Sequence, residues 1–227
     1  MSLEKSYLAV VIRLALTVFV FSLILFLPAG TVFWLEGWIY MIILSIFMTV
    51  NLLYLKEKDP DLLKKRTSQK FVEGWDKILS LLMAIFLIVM FILPGLDAVR
   101  FQWSQVPDIL KIIGLIGVAL SLFWILLVTK ENTFLSRVVE IQEERGHNVI
   151  TTGPYKVVRH PMYFGGAIWI VSHCFALGSF YSLIPTGILI IIMIIRTNLE
   201  DKLLHKQLKG YREYANKTRY RLIPGIW

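Results

Sequence analysis

The chain has 227 residues, of which 56% are hydrophobic and 18% charged, and its mean hydropathy is +0.66. Soluble proteins with buried helices keep polar faces on those helices. The apolar segments of this chain lack such faces, so a membrane protein is predicted. The formal net charge of +8 then indicates membrane topology and attraction to anionic lipid head groups, and not nucleic-acid binding. The single cysteine, Cys174, excludes an internal disulfide and a cysteine-based metal cluster.

Six apolar stretches follow one another along the chain. A transmembrane helix needs about 20 apolar residues, because the hydrocarbon core is about 30 Å thick and each residue adds about 1.5 Å. The stretches are 7–27, 32–55, 78–93, 109–129, 164–177 and 183–195. The first, second and fourth reach the required length, the third nearly does, and the last two are short. We therefore predict an all-α integral membrane protein with five to six membrane helices, the last two forming a helical hairpin.

Basic residues are concentrated in alternate connecting segments. Segment 56–77 contains Lys56, Lys58, Lys64, Lys65, Arg66, Lys70 and Lys77, and segment 130–159 contains Lys130, Arg137, Arg145, Lys156 and Arg159. The part of the chain after Ile195 is also basic. The intervening turns 28–31 and 178–182 contain no basic residue, and 94–107 contains only Arg100. Because short loops rich in Lys and Arg stay in the cytoplasm, this alternation predicts six crossings with both termini cytoplasmic.

Residues 1–129 are predicted to form a membrane scaffold. The first apolar stretch is too long and too poorly flanked for a cleaved signal peptide, so we expect it to be retained. Gly114 and Gly117 are candidate points of close helix packing. Glu36, near two tryptophans, is interpreted as an interfacial residue. The acidic cluster at residues 59–61, followed by basic residues, predicts a capped helix on the membrane surface. Residues 130–227 are predicted to hold the catalytic region, including the last hairpin.

The connector 151–163 carries the strongest functional signal. It contains a cation, an imidazole and two phenols directly before an apolar stretch, where a polar cofactor can meet a lipophilic substrate. Pro154 and Pro161 bias the residues before them away from helical conformation, which predicts a shaped loop. Pro161 is expected at the first position of the next helix and His160 at its cap. The free backbone amides of such a helix start suit an anionic group.

Two further segments are less specific by themselves. Residues 139–150 have a charged middle followed by Gly146, which is typical of a solvated helix end and a turn. Arg196 and Glu200 are four residues apart and so share a helix face. Alone they indicate a surface ion pair, worth about 0–1 kcal/mol. They become interesting because the preceding apolar run returns them to the membrane face that carries the connector 151–163.

Together these residues resemble the isoprenylcysteine carboxyl methyltransferases, whose wider group includes the phospholipid N-methyltransferases. The resemblance covers roughly the last 90 residues and includes the block RHPMY at 159–163, with an acidic pair about 37 residues later. It also includes His147, TTGPY at 151–155 and YREY at 211–214. The resemblance implies a cytoplasmic C-terminal cofactor-binding region and methyl transfer from S-adenosylmethionine at the membrane–cytosol boundary.

The resemblance also implies roles for particular residues, and it implies no metal site. Arg196 matches the arginine that engages the substrate, and Arg196 and Glu200 are the predicted catalytic pair. The predicted cofactor contacts are Gln142, His147, Asn148, Val149, Ile150, Tyr155, Arg159, His160, Pro161, Met162, Tyr163 and Glu200. The sequence departs from the family in having Glu200-Asp201 where two glutamates are usual, and in residues 217–219, where Arg-Val-Pro is frequent.

The implied chemistry depends on the methyl acceptor. A carboxylate is already ionised near neutral pH and needs no general base, so catalysis would consist mainly of positioning. Arg196 would hold it by a bidentate pair that lysine cannot reproduce. Glu200 would neutralise a cofactor cation or bind a ribose or amino group. An amine acceptor would instead need a base, and His147 or Glu200 are the first candidates.

The sequence thus predicts a membrane methyltransferase that O-methylates a lipophilic, isoprenylcysteine-like carboxylate entering from the bilayer. N-methylation of a phospholipid or other amine is one alternative, and an NADPH-dependent reductase of the sterol reductase type is another. A transporter or scaffold is disfavoured because the apolar stretches carry almost no ionisable residues apart from Arg13. The expected partners are the lipophilic substrate and membrane lipids, with no nucleic acid. The expected location is the inner membrane in a bacterium or the endoplasmic reticulum in a eukaryote.

Overall fold

The computed structural model of the protein describes residues 2–67 and 71–227, and the side chains of residues 12–66 and 71–227. All regular secondary structure in this part of the chain is helical, which confirms the predicted all-α fold. The helices are α1 (Ser2–Ala29), α2 (Leu35–Lys58), α3 (Pro60–Thr67), α4 (Gly74–Pro94), α5 (Asp108–Glu131), α6 (Pro161–Ala176), α7 (Leu183–Gln207) and α8 (Tyr211–Lys217). Lys70, counted above in the basic segment 56–77, lies outside the described residues.

Five of the described helices are long and apolar enough to cross a membrane. They are α1, α2, α4 with its π-helical extension Gly95–Arg100, α5 and α7. Helix α6 has 16 residues and so spans about 24 Å, less than the hydrocarbon core of about 30 Å. It packs against α7 across the short connection 177–182, as predicted for the hairpin. The cytoplasmic position of the termini stays a prediction.

Helices α5 and α6 pack with their backbones in close contact. A Cβ at Gly114 would lie 2.3 Å from the backbone nitrogen of Ala176, and one at Gly117 would lie 2.3 Å from Ser172 Oγ. A larger residue at Gly114 would push the helices apart, and one at Gly117 would displace the Ser172 side chain, which confirms the prediction that these glycines mark close packing. Trp124 of α5 also donates from Nε1 to the carbonyl of Pro161 at 2.9 Å, and so fixes where α6 begins.

The end of the molecule formed by residues 95–107 and 178–182 is held together by Asp97. This carboxylate is fully buried and accepts hydrogen bonds from Ser104 N at 2.8 Å, Ser179 Oγ at 2.6 Å and Tyr181 N at 3.3 Å. Asp97 therefore joins the end of α4 to the turn between α6 and α7. At the opposite end of the molecule, the first turns of α4 and α6 lie beside the C-terminal part of α7.

Helix α3 is docked against the segment that follows α5. Asp59 caps it by accepting from Leu62 N at 3.0 Å, which confirms the predicted cap. Lys65 pairs with Glu140 at 3.2 Å and with Glu144 at 2.9 Å. Since both glutamates belong to segment 132–147, α3 restrains the region that the sequence assigned to cofactor binding.

Candidate functional site

The connector before α6 has the conformation that its prolines predict. Residues 153–156 form one turn of 3₁₀-helix, and Pro161 is the first residue of α6. His160 occupies the N-cap position with φ −122° and ψ 63°, and its side chain makes no cap hydrogen bond. The first-turn backbone amides of α6, at Met162 and Tyr163, are therefore not capped by the residue before the helix. Such amides suit an anionic group.

The first residues of the connector pack against the C-terminal end of α5. Gly153 has φ +54°, in the left-handed region that favours glycine, and a Cβ there would lie 2.7 Å from Glu131 Oε2. Tyr155 is buried and its phenol oxygen accepts from Asn132 Nδ2 at 2.6 Å. Tyr214 of α8 donates to the carbonyl of Tyr155 at 2.7 Å. Burial raises the pKa of Tyr155, so it stays a neutral phenol that ties α5 and α8 to the connector.

Asp201 of α7 is the centre of a saturated cluster, meaning one in which both carboxylate oxygens already accept hydrogen bonds from the protein. Its carboxylate is fully buried and accepts from Arg159 Nε, Tyr211 OH and Arg221 Nε, each at 2.9 Å. His160 Nε2 lies 3.2 Å from the same carboxylate. Burial and then Asp201 raise the pKa of Tyr211, which keeps it a hydrogen-bond donor. Four side chains from three segments thus converge on one carboxylate.

The backbone of the connector is fixed by the chain after α8. The amide of Arg159 donates to the carbonyl of Tyr220, and that of His160 donates to the carbonyl of Arg221, both at 2.9 Å. Arg159 Nη1 also donates to the carbonyls of Thr218 at 3.1 Å and Arg219 at 2.9 Å. The guanidinium of Arg159 is therefore fully engaged with the protein. It shapes the loop, and its predicted contact with a cofactor stays a prediction.

Glu200 lies beside the start of α6, together with the residues that the sequence grouped with it. Tyr163 donates from its hydroxyl to Glu200 Oε2 at 2.7 Å, and His160 Nδ1 lies 4.0 Å from Glu200 Oε1. The side chain of Glu200 is 24% exposed, whereas that of Asp201 is 1% exposed. Glu200 is thus the carboxylate of the pair that a ligand can reach.

Arg196 lies one turn before Glu200 and forms a buried ion pair that sequence analysis missed. Its Nη2 is 2.7 Å from Asp76 Oδ1 and donates to the carbonyl of Arg137 at 2.8 Å. Asp76 is fully buried in the first turn of α4, and its Oδ2 accepts from Val139 N at 2.9 Å. The signal that could have found Asp76 is its place two residues before the apolar stretch that begins at residue 78, where a carboxylate must be buried or paired.

The rest of the Arg196 guanidinium has no oxygen partner among the described residues. Its Nε is buried and makes no hydrogen bond. Its Nη1 contacts the sulfur of Met83 at 3.9 Å. The guanidinium carbon lies 5.8 Å from the ring centre of Tyr163, so Arg196 and the Tyr163–Glu200 pair belong to one cluster. Two N–H groups of this buried cation, one on Nε and one on Nη1, are therefore without a partner among the described residues.

The segment 132–147 is a compact loop built around Gln142. The Gln142 amide is fully buried, donating to the carbonyl of Phe134 at 2.8 Å and accepting from Arg145 Nη1 at 2.7 Å. The His147 ring stacks on Phe134 with centroids 4.5 Å apart, and His147 Nδ1 accepts from Gln142 N at 3.3 Å. Burial, and secondarily Arg145, lowers the pKa of His147, which favours the neutral imidazole.

The predicted cofactor residues 148–150 directly follow this loop in the chain. Asn148 is exposed, and Val149 and Ile150 are half-buried against the apolar cluster of Tyr155 and α8. Val149 also lies close to Gly210, where an added Cβ would be 3.9 Å from Val149 Cγ2. The structure therefore places residues 148–150 at the junction of α7 and α8. Their contact with a cofactor stays a prediction.

Comparison with known proteins gives a family match over the part of the chain that contains this site. Residues 109–210 match the family model described as phospholipid methyltransferase, which belongs to the isoprenylcysteine carboxyl methyltransferase-like group, so the resemblance found in the sequence is confirmed. The match runs from α5 to the turn after α7 and includes every predicted site residue. A search of curated proteins gave no match. The family and the five apolar helices together indicate an integral membrane methyltransferase.

Proposed function

We propose that this chain, whose residues 109–210 match the phospholipid methyltransferase family model, transfers a methyl group from S-adenosylmethionine to the carboxylate of a lipophilic acceptor. The observation that carries the proposal is Arg196, a buried cation whose Nε makes no hydrogen bond. A buried donor left unpaired costs about 1–3 kcal/mol. A carboxylate placed against Nε would remove that cost through a charge-assisted hydrogen bond.

The residues beside Arg196 fit the carboxylate and the ammonium group at the amino-acid end of the methyl donor. The uncapped amides of Met162 and Tyr163 suit its carboxylate. Glu200, held by the Tyr163 hydroxyl, suits its ammonium group or a ribose hydroxyl. His160 and Arg159 act here through position, because Asp201 and the carbonyls after α8 hold them in place. When bound, S-adenosylmethionine supplies an electrophilic methyl group on a sulfonium.

The reaction needs no proton transfer when the acceptor is a carboxylate. A carboxylate oxygen forms the new O–C bond, the C–S bond breaks, and its electron pair remains on sulfur. The acceptor is already ionised near neutral pH, so the protein contributes alignment of the two reactants. Arg196 contacts Met83 of α4 and lies between two membrane helices, which supports entry of a lipophilic acceptor from the bilayer.

One observation favours N-methylation as a second candidate. Asp76 compensates the charge of Arg196, so Arg196, Asp76 and Glu200 together carry a formal charge of −1. Such a cluster also suits an amine or a zwitterionic head group. An amine must lose a proton to attack, and Glu200 is the nearest candidate base in this cluster. Turnover would then fall as pH drops through 7, whereas carboxylate methylation continues down to the pKa of the acceptor.

Two measurements on the purified wild-type protein test the proposal. Calorimetry in detergent should show binding of S-adenosylmethionine and S-adenosylhomocysteine. Incubation with methyl-labelled S-adenosylmethionine and membrane lipid extract should then give a lipophilic product that releases labelled methanol in mild alkali, as an ester does. An alkali-stable product would support the amine alternative. Absence of binding to either adenosyl compound would refute both methyltransferase proposals.

A further inference from the structure

Asp76 is a buried charged residue for which the reaction above gives no role. It comes from the scaffold part of the chain, yet it reaches across to the arginine proposed to hold the acceptor. Both members of the pair are shielded from water, with side chains 10% exposed for Arg196 and 0% for Asp76. A second bond, from Val139 N to Asp76 Oδ2, fixes the carboxylate against the segment after α5. The position of this negative charge is therefore set by the fold.

The compensation of the Arg196 charge by Asp76 affects the energy barrier of the proposed reaction. The acceptor starts as an anion and ends as a neutral ester, so its negative charge diminishes on the way to the transition state. A fully charged, uncompensated arginine would stabilise the starting carboxylate more than the transition state. Binding that is stronger in the ground state than in the transition state raises the barrier. An arginine whose charge is offset still orients the carboxylate through its N–H groups.

We propose that Asp76 offsets the charge of Arg196, so that the acceptor carboxylate is held in place but remains nucleophilic. This inference rests on the proposed function. Asp76 is thus a positioning residue that acts through Arg196, and it sets the balance between acceptor affinity and turnover. The bonds made and broken are those of the methyl transfer described above, and Asp76 neither gains nor loses a proton.

The variant Asp76→Asn tests the inference, since asparagine keeps a hydrogen-bond acceptor and removes the charge. The probe is the acid recovered by alkaline hydrolysis of the labelled product, with an N-acetyl-S-prenylcysteine as the first compound tried. In the presence of S-adenosylhomocysteine, the variant should bind this acid about tenfold more tightly, the difference between a charge-assisted and a neutral pair. Its kcat should fall by about the same factor.

Asp108→Asn is the matched control. It makes the same chemical change at a side chain that is 91% exposed and distant from Arg196, and it should leave both constants unchanged. A merely structural role for Asp76 would weaken acceptor binding and lower kcat together. Weaker binding by Asp76→Asn, or two unchanged constants, would therefore overturn the inference while leaving the ester product and the proposed function intact.

A measurement on the wild-type protein covers the case in which Asp76→Asn does not fold. The acid and its neutral methyl ester should bind with dissociation constants within about tenfold of each other, because Arg196 presents little net charge. A preference for the acid above about a hundredfold would show that Arg196 acts as a full cation, and the inference would be wrong. Failure to bind S-adenosylhomocysteine at all would count against the proposed function.

Discussion

Helix α7 carries two buried polar clusters about one turn apart, and they differ in how completely their hydrogen bonds are made. The Asp201 carboxylate receives two arginines, a histidine and a tyrosine. Arg196 receives one carboxylate and one carbonyl, and its Nε makes no hydrogen bond. A saturated cluster has nothing left to offer a ligand, so its role is to hold the fold. The unsaturated one has donors available for binding.

This difference also separates the two carboxylates that neighbour each other in sequence. Glu200 and Asp201 point to different surroundings because successive residues of a helix lie about 100° apart around its axis. Asp201 joins the connector to the chain after α8, whereas Glu200 is partly exposed beside Tyr163. Substitutions in the Asp201 cluster should therefore lower stability, whereas substitutions in the cluster of Arg196 and Glu200 should change ligand binding and turnover.

The largest effect is expected for Asp201→Ala. The substitution leaves Arg159 buried without its carboxylate, and breaking a buried pair in this way costs about 3–5 kcal/mol. Thermal unfolding in detergent should show a large loss of stability and, with it, loss of cofactor binding. Asp61→Asn, at an exposed position of α3, serves as the control. A stable Asp201→Ala protein would contradict the distinction between the clusters.

Arg196→Lys should act on turnover while the fold and cofactor affinity persist. Lysine keeps the charge near Asp76 but lacks the planar guanidinium that contacts Asp76 and the acceptor at the same time. Loss of a charge-assisted hydrogen bond of ~1.5–3 kcal/mol lowers kcat/KM by about one to two decades. Steady-state kinetics measure the loss, and Arg212→Lys on the exposed face of α8 is the matched control. Full activity of Arg196→Lys together with inactivity of His147→Ala would favour N-methylation.

Tyr163→Phe should have a smaller effect, confined to the cofactor. It removes the hydroxyl that donates to Glu200 at 2.7 Å and leaves the ring beneath Arg196. Loss of a hydrogen bond of about 1–1.5 kcal/mol predicts a five- to tenfold weaker affinity for S-adenosylhomocysteine by calorimetry. Tyr181→Phe, at the opposite end of the molecule, should leave this affinity unchanged. Equal affinities for wild type and Tyr163→Phe would remove Glu200 from the cofactor site.

The smallest effect concerns pH and His147. Its pKa in the folded protein lies below the ordinary value of 6.5, so below pH 6.5 the unfolded chain binds a proton that the folded protein binds less readily. Stability is therefore complete above pH 6.5 and decreases as pH falls through the folded pKa. His147→Phe keeps a ring against Phe134 and removes the titration. The thermal midpoint of this variant should depend less on pH between 5 and 7 than that of the wild type. An identical pH dependence of the two midpoints would show that His147 does not have a lowered pKa in the folded protein.

Much of the framework follows from local sequence. Pro161 predicted where α6 begins, because proline suits the first helical position. Gly114 and Gly117 predicted close packing, because only small side chains let two backbones meet. The apolar stretches predicted the helices, although α7 continues as one helix twelve residues beyond the stretch that ends at residue 195. Helical residues with charged side chains continue a helix into water without any hydropathy signal.

The pairings within the site were beyond sequence reasoning. Asp76 and Arg196 are 120 residues apart in the sequence (196 − 76). Arg159 and His160 looked like ligand-binding groups because they are polar residues in a short motif, yet both are engaged with Asp201. No local periodicity distinguishes a side chain that holds a loop from one that holds a ligand. That distinction depends on which long-range partner satisfies each hydrogen bond in the folded protein.

The hydrogen bonds between the connector and the chain after α8 have a consequence for biosynthesis. Arg159 depends on carbonyls that lie 59 and 60 residues further along, with α6, α7 and α8 between them. Because translation proceeds from the N-terminus, all three helices are synthesised before those carbonyls exist. The connector therefore cannot take its final shape until residue 221 has been made, and activity is acquired only after synthesis of the last hairpin.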